Sequence, residues 1–426
     1  MSVPPHATPA SDALYTRARR VLVGGVNSPV RAMRSIGRDP VFIDRAEGAY
    51  VWDVDGNRYI DHLASWGPAI LGHAHPATLD ALRDALPRGT SYGAPTEREV
   101  RFAETVIDAF PSVERLRMTS SGSEAVMGAL RLARAATGRE VVVKTIGGYH
   151  GAIDGLLAQA GSGATTLGVP TSPGVPAAAT AATRLVPYND LAAAEEALQG
   201  AAAIILEPVA GNMGVVAPRP GYLEGLRAAC DRTGALLILD EVITGFRLAR
   251  GGAQERFGVR ADITCFGKII GGGLPVGAFG GRGDVMDQLA PEGPCYQAGT
   301  LSGNPLATAA GLAVLAGLAA PGVYERLEES GAALEDAMRA SGAPVTVNRV
   351  GSMVTPFFTT GPVTDYAQAT ASDTGAYAAF ARALLARGVY PPPSQFEAWF
   401  TGMAHTDADL AATRTALAEA AEAVAG

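Results

Sequence analysis

At 426 residues the chain exceeds the roughly 250–300 residues at which single hydrophobic cores stop growing, so two or three structural parts are expected. Its 34 basic and 42 acidic side chains leave a formal charge of −8 and are spread along the chain, so no basic stripe is available to track nucleic-acid phosphates. The first 20 residues hold no signal-peptide core, no apolar run is long enough to span a bilayer, and the three cysteines form no CxxC pair. These features exclude nucleic-acid and membrane partners, a disulfide framework and a cysteine-rich metal centre, and a cytoplasmic location is expected.

In chain order, residues 1–20 are polar and rich in Pro and Ala, a loose end followed by a short helix. Residues 41–62 alternate apolar and polar around Asp55-Gly56-Asn57, which predicts a β-hairpin. From about residue 77 to 310, helical stretches alternate with short continuous apolar runs at 141–144, 202–206, 235–239 and 262–266. Continuous apolarity suits strands covered on both faces, so an α/β fold with a mostly parallel sheet is predicted, its chemistry beyond the strands' carboxyl ends. Residues 144–176 are Gly-rich and nearly uncharged, a long loop of the kind that carries function. Helical periodicity returns at 306–318, 323–340, 376–385 and 407–425, with strand-like runs at 345–348 and 353–359 between. The expected division is an N-terminal lobe over 1–65, a large α/β domain over 66–310 and a C-terminal α+β domain over 311–426.

Only two of the 34 basic residues are lysines, Lys144 and Lys268. Where arginine otherwise supplies positive charge, a retained lysine is a candidate for amine chemistry, because guanidinium is a poor nucleophile. Lys268 follows the apolar run ADITCFG, and Asp240 ends the run ALLILD, so both emerge at the ligand-binding edge of the sheet. An amine that condenses with an aldehyde and a carboxylate that pairs with a pyridinium nitrogen are what pyridoxal phosphate requires. Ser121, Gly122 and Ser123 lie between a strand-like and a helix-like segment, where backbone N–H groups could face a phosphate; the alternative is that a serine simply caps the helix. Tyr149 and His150 follow the next strand, where an aromatic ring could stack on a pyridine or merely pack.

Longer motifs carry a resemblance: GGVNSPVRA (24–32), WGPAILGHAHP (66–76), AGSGATTLGVPTSPGVP (160–176), EPVAGNMG (207–214), LDEVITGFR (239–247), FGKIIGGGLPVGAFGGR (266–282), QAGTLSGNPLA (297–307), PSQFEA (393–398) and MAHT (403–406). With these the chain resembles the fold-type I pyridoxal-phosphate enzymes of the class III aminotransferase branch, and within it the glutamate-1-semialdehyde 2,1-aminomutases. The resemblance implies Lys268 as the Schiff-base lysine and proton shuttle, and Asp240 as partner of the ring nitrogen. It implies Tyr149 and Val242 on the two ring faces, His150 nearby, Asn212 on the ring hydroxyl, and Ser121, Gly122 and Ser123 on the phosphate. Gly299 and Thr300 would reach the phosphate of a neighbouring subunit's cofactor, making the active unit a homodimer. Ser28, Val30, Arg31, Trp66, Ser162 and Glu397 would surround the substrate, with Arg31 on its carboxylate.

The implied reaction turns glutamate-1-semialdehyde into 5-aminolevulinate, a tetrapyrrole precursor. Pyridoxamine phosphate gives its amine, 4,5-diaminovalerate forms, and the other amine returns to the cofactor; the loop over 144–176 would close over that diamine. The chain departs from the usual pattern at Ser120, Ile146, Ala152, Pro392 and Trp399, which puts the base of the loop and a wall near Glu397 in question. Two alternatives follow: a class III aminotransferase for another amino acid or aldehyde, or a non-catalytic carrier of the cofactor.

Overall fold

The computed structural model describes residues 6–158 and 172–425 of the chain. Fourteen strands occur among them. In chain order these are β1 (Ile43–Glu47), β2 (Tyr50–Asp53), β3 (Arg58–Asp61), β4 (Arg115–Thr119), β5 (Val142–Thr145), β6 (Thr183–Val186) and β7 (Ala203–Leu206). There follow β8 (Leu236–Asp240), β9 (Ile263–Phe266), β10 (Gly277–Gly281), β11 (Thr346–Val350), β12 (Met353–Phe357), β13 (Val389–Tyr390) and β14 (Trp399–Phe400).

The central sheet has seven strands in the order β4-β10-β9-β8-β7-β5-β6, all parallel except β10, which runs against both neighbours. The four apolar runs became β5, β7, β8 and β9, and every residue of these strands is buried. Alternation of side chains across the sheet splits them between two layers. Ile205, Ile238 and Ile263 pack with Val126 and Ala129 of the helix Gly122–Thr137. Ile204, Leu237 and Leu239 pack with Leu226 and Ala229 of the helix Tyr222–Thr233 on the other face. Each fully buried aliphatic side chain contributes about 1.5–3 kcal/mol.

Strand β10 was not foreseen, because GAFGG lacks the bulk of a strand. Its glycines answer to close backbone approach: a Cβ on Gly277 would lie 2.1 Å from the Ser121 carbonyl oxygen, and one on Gly281 2.0 Å from that of Asp262. Gly281→Ala should therefore destabilise the protein by about 3 kcal/mol, the upper range for overpacking, read as a lowered urea midpoint. An unchanged midpoint would show that the two strands can separate without cost.

The expected hairpin forms from β2 and β3, with β1 paired outside them. The Asp53 carboxylate closes its turn by accepting from the backbone N–H groups of Asp55 and Asn57 at 3.0 and 2.8 Å. This sheet is completed by β13, which pairs parallel to β3 across more than 300 residues of sequence, so the chain's first strands share a sheet with a strand from its C-terminal part. Strands β11, β12 and β14 form a third, antiparallel sheet. The expected loop starts later than read: Lys144 and Thr145 belong to β5, Asp154–Leu156 forms one 3-10 turn and Ala177–Thr180 one helical turn. Residues 159–171 of that loop, with Ser162, lie outside the described residues. No single helix among the described residues is long and apolar enough to cross a membrane.

Candidate active site

Because β4, β5, β7, β8 and β9 run the same way, the residues just past their carboxyl ends converge on one edge of the sheet. A cavity of about 220 Å³ opens there, lined by Gly122 and Ser123 after β4, Tyr149 and His150 after β5, and Glu207 and Asn212 after β7. Asp240 and Val242 from β8 and Lys268 after β9 complete the wall. Lys268 adopts φ of +50°, in the left-handed region that costs a non-glycine residue about 1–3 kcal/mol, a strain typical of functional positions. Burial lowers the pKa of its amine, while Asp240, Glu207 and Glu397 pull it up and Arg247 pushes it down.

Asp240 is buried and held at both oxygens: Oδ1 accepts from the Val242 N–H at 3.1 Å, and Oδ2 lies 2.7 Å from Nδ1 of buried His150. An ionised carboxylate only accepts, so Nδ1 of His150 carries a proton. His150 lines the cavity, but its ring serves Asp240, which narrows the general cofactor contact expected of it to orientation of the carboxylate.

Glu207 was missed in the sequence, although it opens the EPVAGNMG motif. It is buried and accepts from the backbone N–H groups of Tyr149 and Gly211 at 3.3 and 3.2 Å and from Asn212 Nδ2 at 2.7 Å. Burial raises its pKa, against the pull of His150, Gly211 and Asn212. One carboxylate thus ties the segment carrying Tyr149 to the one carrying Asn212. With its amide nitrogen committed to Glu207, Asn212 keeps its carbonyl oxygen as an acceptor for a ring hydroxyl.

Ser121 caps a helix. Its Oγ accepts from the Glu124 N–H at 3.2 Å at the start of the helix Gly122–Thr137, and it lines neither cavity around Lys268. Gly122 and Ser123 are the residues of this helix end on the cavity wall, where N–H groups could meet an anion. Tyr149 is 40% exposed, so its ring is presented to the cavity instead of being packed away.

A second cavity, of about 560 Å³, shares Tyr149, Asn212, Ile243 and Lys268 with the first and is lined also by Ser28, Val30, Arg31, Trp66, Ala152, Glu397 and Phe400. Every expected substrate contact within the described residues therefore lies on the cavity that Lys268 enters. Gly299 and Thr300 do not: they are exposed and line a separate cavity with residues 91–96. Within one chain they reach neither Lys268 cavity.

The smaller cavity fits pyridoxal phosphate by its chemistry, with an amine, a carboxylate, a neutral amide and a helix N-terminus around a single space. A Cβ at Gly122 would stand 3.1 Å from a Val242 methyl, and one at Gly151 2.4 Å from the Ser123 hydroxyl, so both glycines keep the space open.

A family model described as aminotransferase class-III matches residues 33–391. The chain belongs to the class III aminotransferases. It is 59% identical over 415 residues to a glutamate-1-semialdehyde 2,1-aminomutase of Pelotomaculum thermopropionicum, covering 95% of this chain and 96% of the relative. Among solved structures, an omega-transaminase from Sphaerobacter thermophilus superimposes with a TM-score of 0.89 at 31% identity, covering 98% of each chain. A glutamate-1-semialdehyde-aminomutase from Pseudomonas aeruginosa PAO1, in complex with PMP, gives 0.87 at 29% identity, covering 98% of this chain and 95% of that one.

For this class III aminotransferase the departures noted in sequence carry unequal weight. Of Ser120, Ile146, Ala152, Pro392 and Trp399, only Ala152 lines the substrate-side cavity. Trp399, expected near a cavity wall, is instead fully buried in the core with Tyr377 and Val354, because on β14 it points away from the face that Phe400 presents. Pro392 accepts from the Tyr377 hydroxyl at 2.6 Å, also within that core.

Lys144, the other lysine of the class III aminotransferase, has no place at the Lys268 cavities. It is fully buried, and its Nζ donates to the carbonyl oxygens of Thr145 and Ala158 at 3.3 and 3.2 Å, drawing together the two ends of the segment that carries Tyr149 and His150. Burial lowers its pKa from 10.5 to about 7, against the pull of Glu207. Between those values the unfolded chain binds more protons than the folded one, so stability rises with pH across this window. Relative to Lys144→Met, the wild type should gain up to about 1.4 kcal/mol per pH unit from pH 7 to 9, measured by urea unfolding. A constant gap would show that Lys144 titrates normally.

Proposed function

We propose that this chain converts glutamate-1-semialdehyde to 5-aminolevulinate by exchanging an amine and an aldehyde between adjacent carbons, as a cytoplasmic homodimer that uses pyridoxal and pyridoxamine phosphate. The observation that carries the reading is the meeting of Arg31 and Lys268 on one cavity: a guanidinium suited to a substrate carboxylate and an amine suited to moving a proton. The high identity to a curated aminomutase over nearly the whole chain supports the same substrate.

Pyridoxal phosphate, when bound, supplies an electron-accepting ring and a carbon that carries the amine. Around it Gly122 and Ser123 offer N–H groups to the phosphate, Asn212 an acceptor to the ring hydroxyl, and Tyr149 and Val242 apolar surface to the two faces. Asp240, oriented by His150, holds the proton of the ring nitrogen. Lys268 would anchor the cofactor's aldehyde form and, as a free amine, would carry a proton between the substrate carbon and the cofactor carbon on either side of the transferred nitrogen, which its lowered pKa favours. Arg31 holds the substrate carboxylate, with Ser28, Val30, Trp66 and Glu397 around the rest, while Thr300 of a second copy would complete the phosphate site.

A class III aminotransferase for another compound would find its footing at Ala152, the one departure on the cavity wall. Supplying 4,5-diaminovalerate to the protein loaded with pyridoxal phosphate separates the two. An aminomutase releases both 5-aminolevulinate and glutamate-1-semialdehyde, whereas failure to form either overturns the substrate assignment.

A further inference from the structure

Arg247 closes the LDEVITGFR motif and lines neither Lys268 cavity. It is 1% exposed, the largest cation so deeply buried among the described residues, and forms no ion pair with any described carboxylate. One terminal nitrogen donates to the carbonyl oxygen of Gly67, the other to Ser352 Oγ at 3.2 Å, and the guanidinium carbon stands 4.6 Å above the Phe400 ring. Its Nε is buried without a hydrogen-bond partner. Removing a guanidinium from water costs several kcal/mol unless a carboxylate or a full set of acceptors compensates, so stability alone gives no account of this placement.

What surrounds it does. Gly67 follows three residues with positive φ, Ala64, Ser65 and Trp66, and a Cβ on Gly67 would lie 3.6 Å from Arg247, 3.7 Å from Lys268 Cδ and 3.7 Å from Phe400. The Arg247 guanidinium and Lys268 Cδ therefore flank the same point at Gly67, one on each of these contacts. The charged groups acting on the Lys268 amine are the carboxylates of Asp240, Glu207 and Glu397 and this single guanidinium; Tyr324 is the titratable group acting on Arg247 itself. Three carboxylates around an amine favour its protonated form, in which it cannot accept a proton. We propose that Arg247 is a positioning residue that acts electrostatically: a fixed, unpaired cation behind Lys268 that offsets the carboxylates and keeps the amine able to accept a proton.

This rests on Lys268 as the proton-carrying group, and the test does not depend on the substrate. Because the chain has only two lysines, trace acylation of the cofactor-free protein across pH, read by peptide mass spectrometry, follows each amine separately. Arg247→Gln should raise the half-reaction pH of Lys268 by about one unit, the scale of a unit charge at this range in a partly solvated interior, while Arg247→Lys leaves it near wild type. Ser352→Asp, which places a carboxylate against Arg247 without removing it, should raise it similarly, and Ser352→Asn should not. The acid limb of the kcat profile should shift with it. If Lys268 titrates unchanged in Ser352→Asp, or if Arg247→Gln raises KM through Trp66 with the Lys268 midpoint unmoved, Arg247 only braces the Gly67 backbone and the proposal fails.

Discussion

Lys268→Ala should lower turnover by at least about 10⁴-fold, the scale of losing a positioned proton carrier together with the covalent anchor of the cofactor. No other group on the two cavities can replace it. Lys144, the only other lysine, is fully buried with its Nζ on the carbonyls of Thr145 and Ala158, so it cannot swing into the vacancy. Borohydride reduction of the wild type loaded with pyridoxal phosphate should mark one peptide, that of Lys268, and none in the variant. The fold should survive, since an alanine at φ of +50° is no more strained than the lysine it replaces. Labelling of Lys144 in the variant, or activity within tenfold of wild type, would show that the amine is supplied elsewhere.

Asp240→Asn should cost about 10³-fold in kcat with little change in KM, because the ring nitrogen loses the carboxylate that keeps it protonated while the shape of the site is retained. The effect also passes through His150. Nδ1 now donates to Asp240 at 2.7 Å, and an amide there leaves the choice of tautomer open. His150→Phe, which keeps the carboxylate and the ring's bulk but removes the donor that orients it, should cost only about 10- to 100-fold, by analogy with outer-layer partners of bound cofactors and metals. Loss in the reverse order would make His150 the group that acts on the ring.

The mostly parallel sheet, its strands β5, β7, β8 and β9 and the residues at their ends were readable because buried parallel strands are continuous apolar runs closed by Gly or Asp, as at Asp240 and Lys268. Features that depend on contacts between distant segments were not. Strand β10 consists of glycines whose need is set by the carbonyls of Ser121 and Asp262, which no local pattern reports. The pairing of β13 with β3 joins residues 389–390 to 60–61, each too short to announce a partner. Glu207 and Arg247 stand in motifs that were recognised, yet a buried charge has the same letter as a solvated one. Trp399 and Phe400 are adjacent, and their division between core and cavity follows from strand alternation once β14 is placed. Ser121 offered two roles in sequence; it caps the helix by accepting the Glu124 N–H, which leaves its O–H as a donor.

A single cavity lined by both Arg31 and Lys268 moves an amine within one substrate. Protein charged with pyridoxamine phosphate and given glutamate-1-semialdehyde alone, with no amino donor and no keto acid, tests it most directly. Many molecules of 5-aminolevulinate per active site are expected; product that stops at or below one per site, and resumes only when a donor is added, would show that the amine comes from outside the substrate.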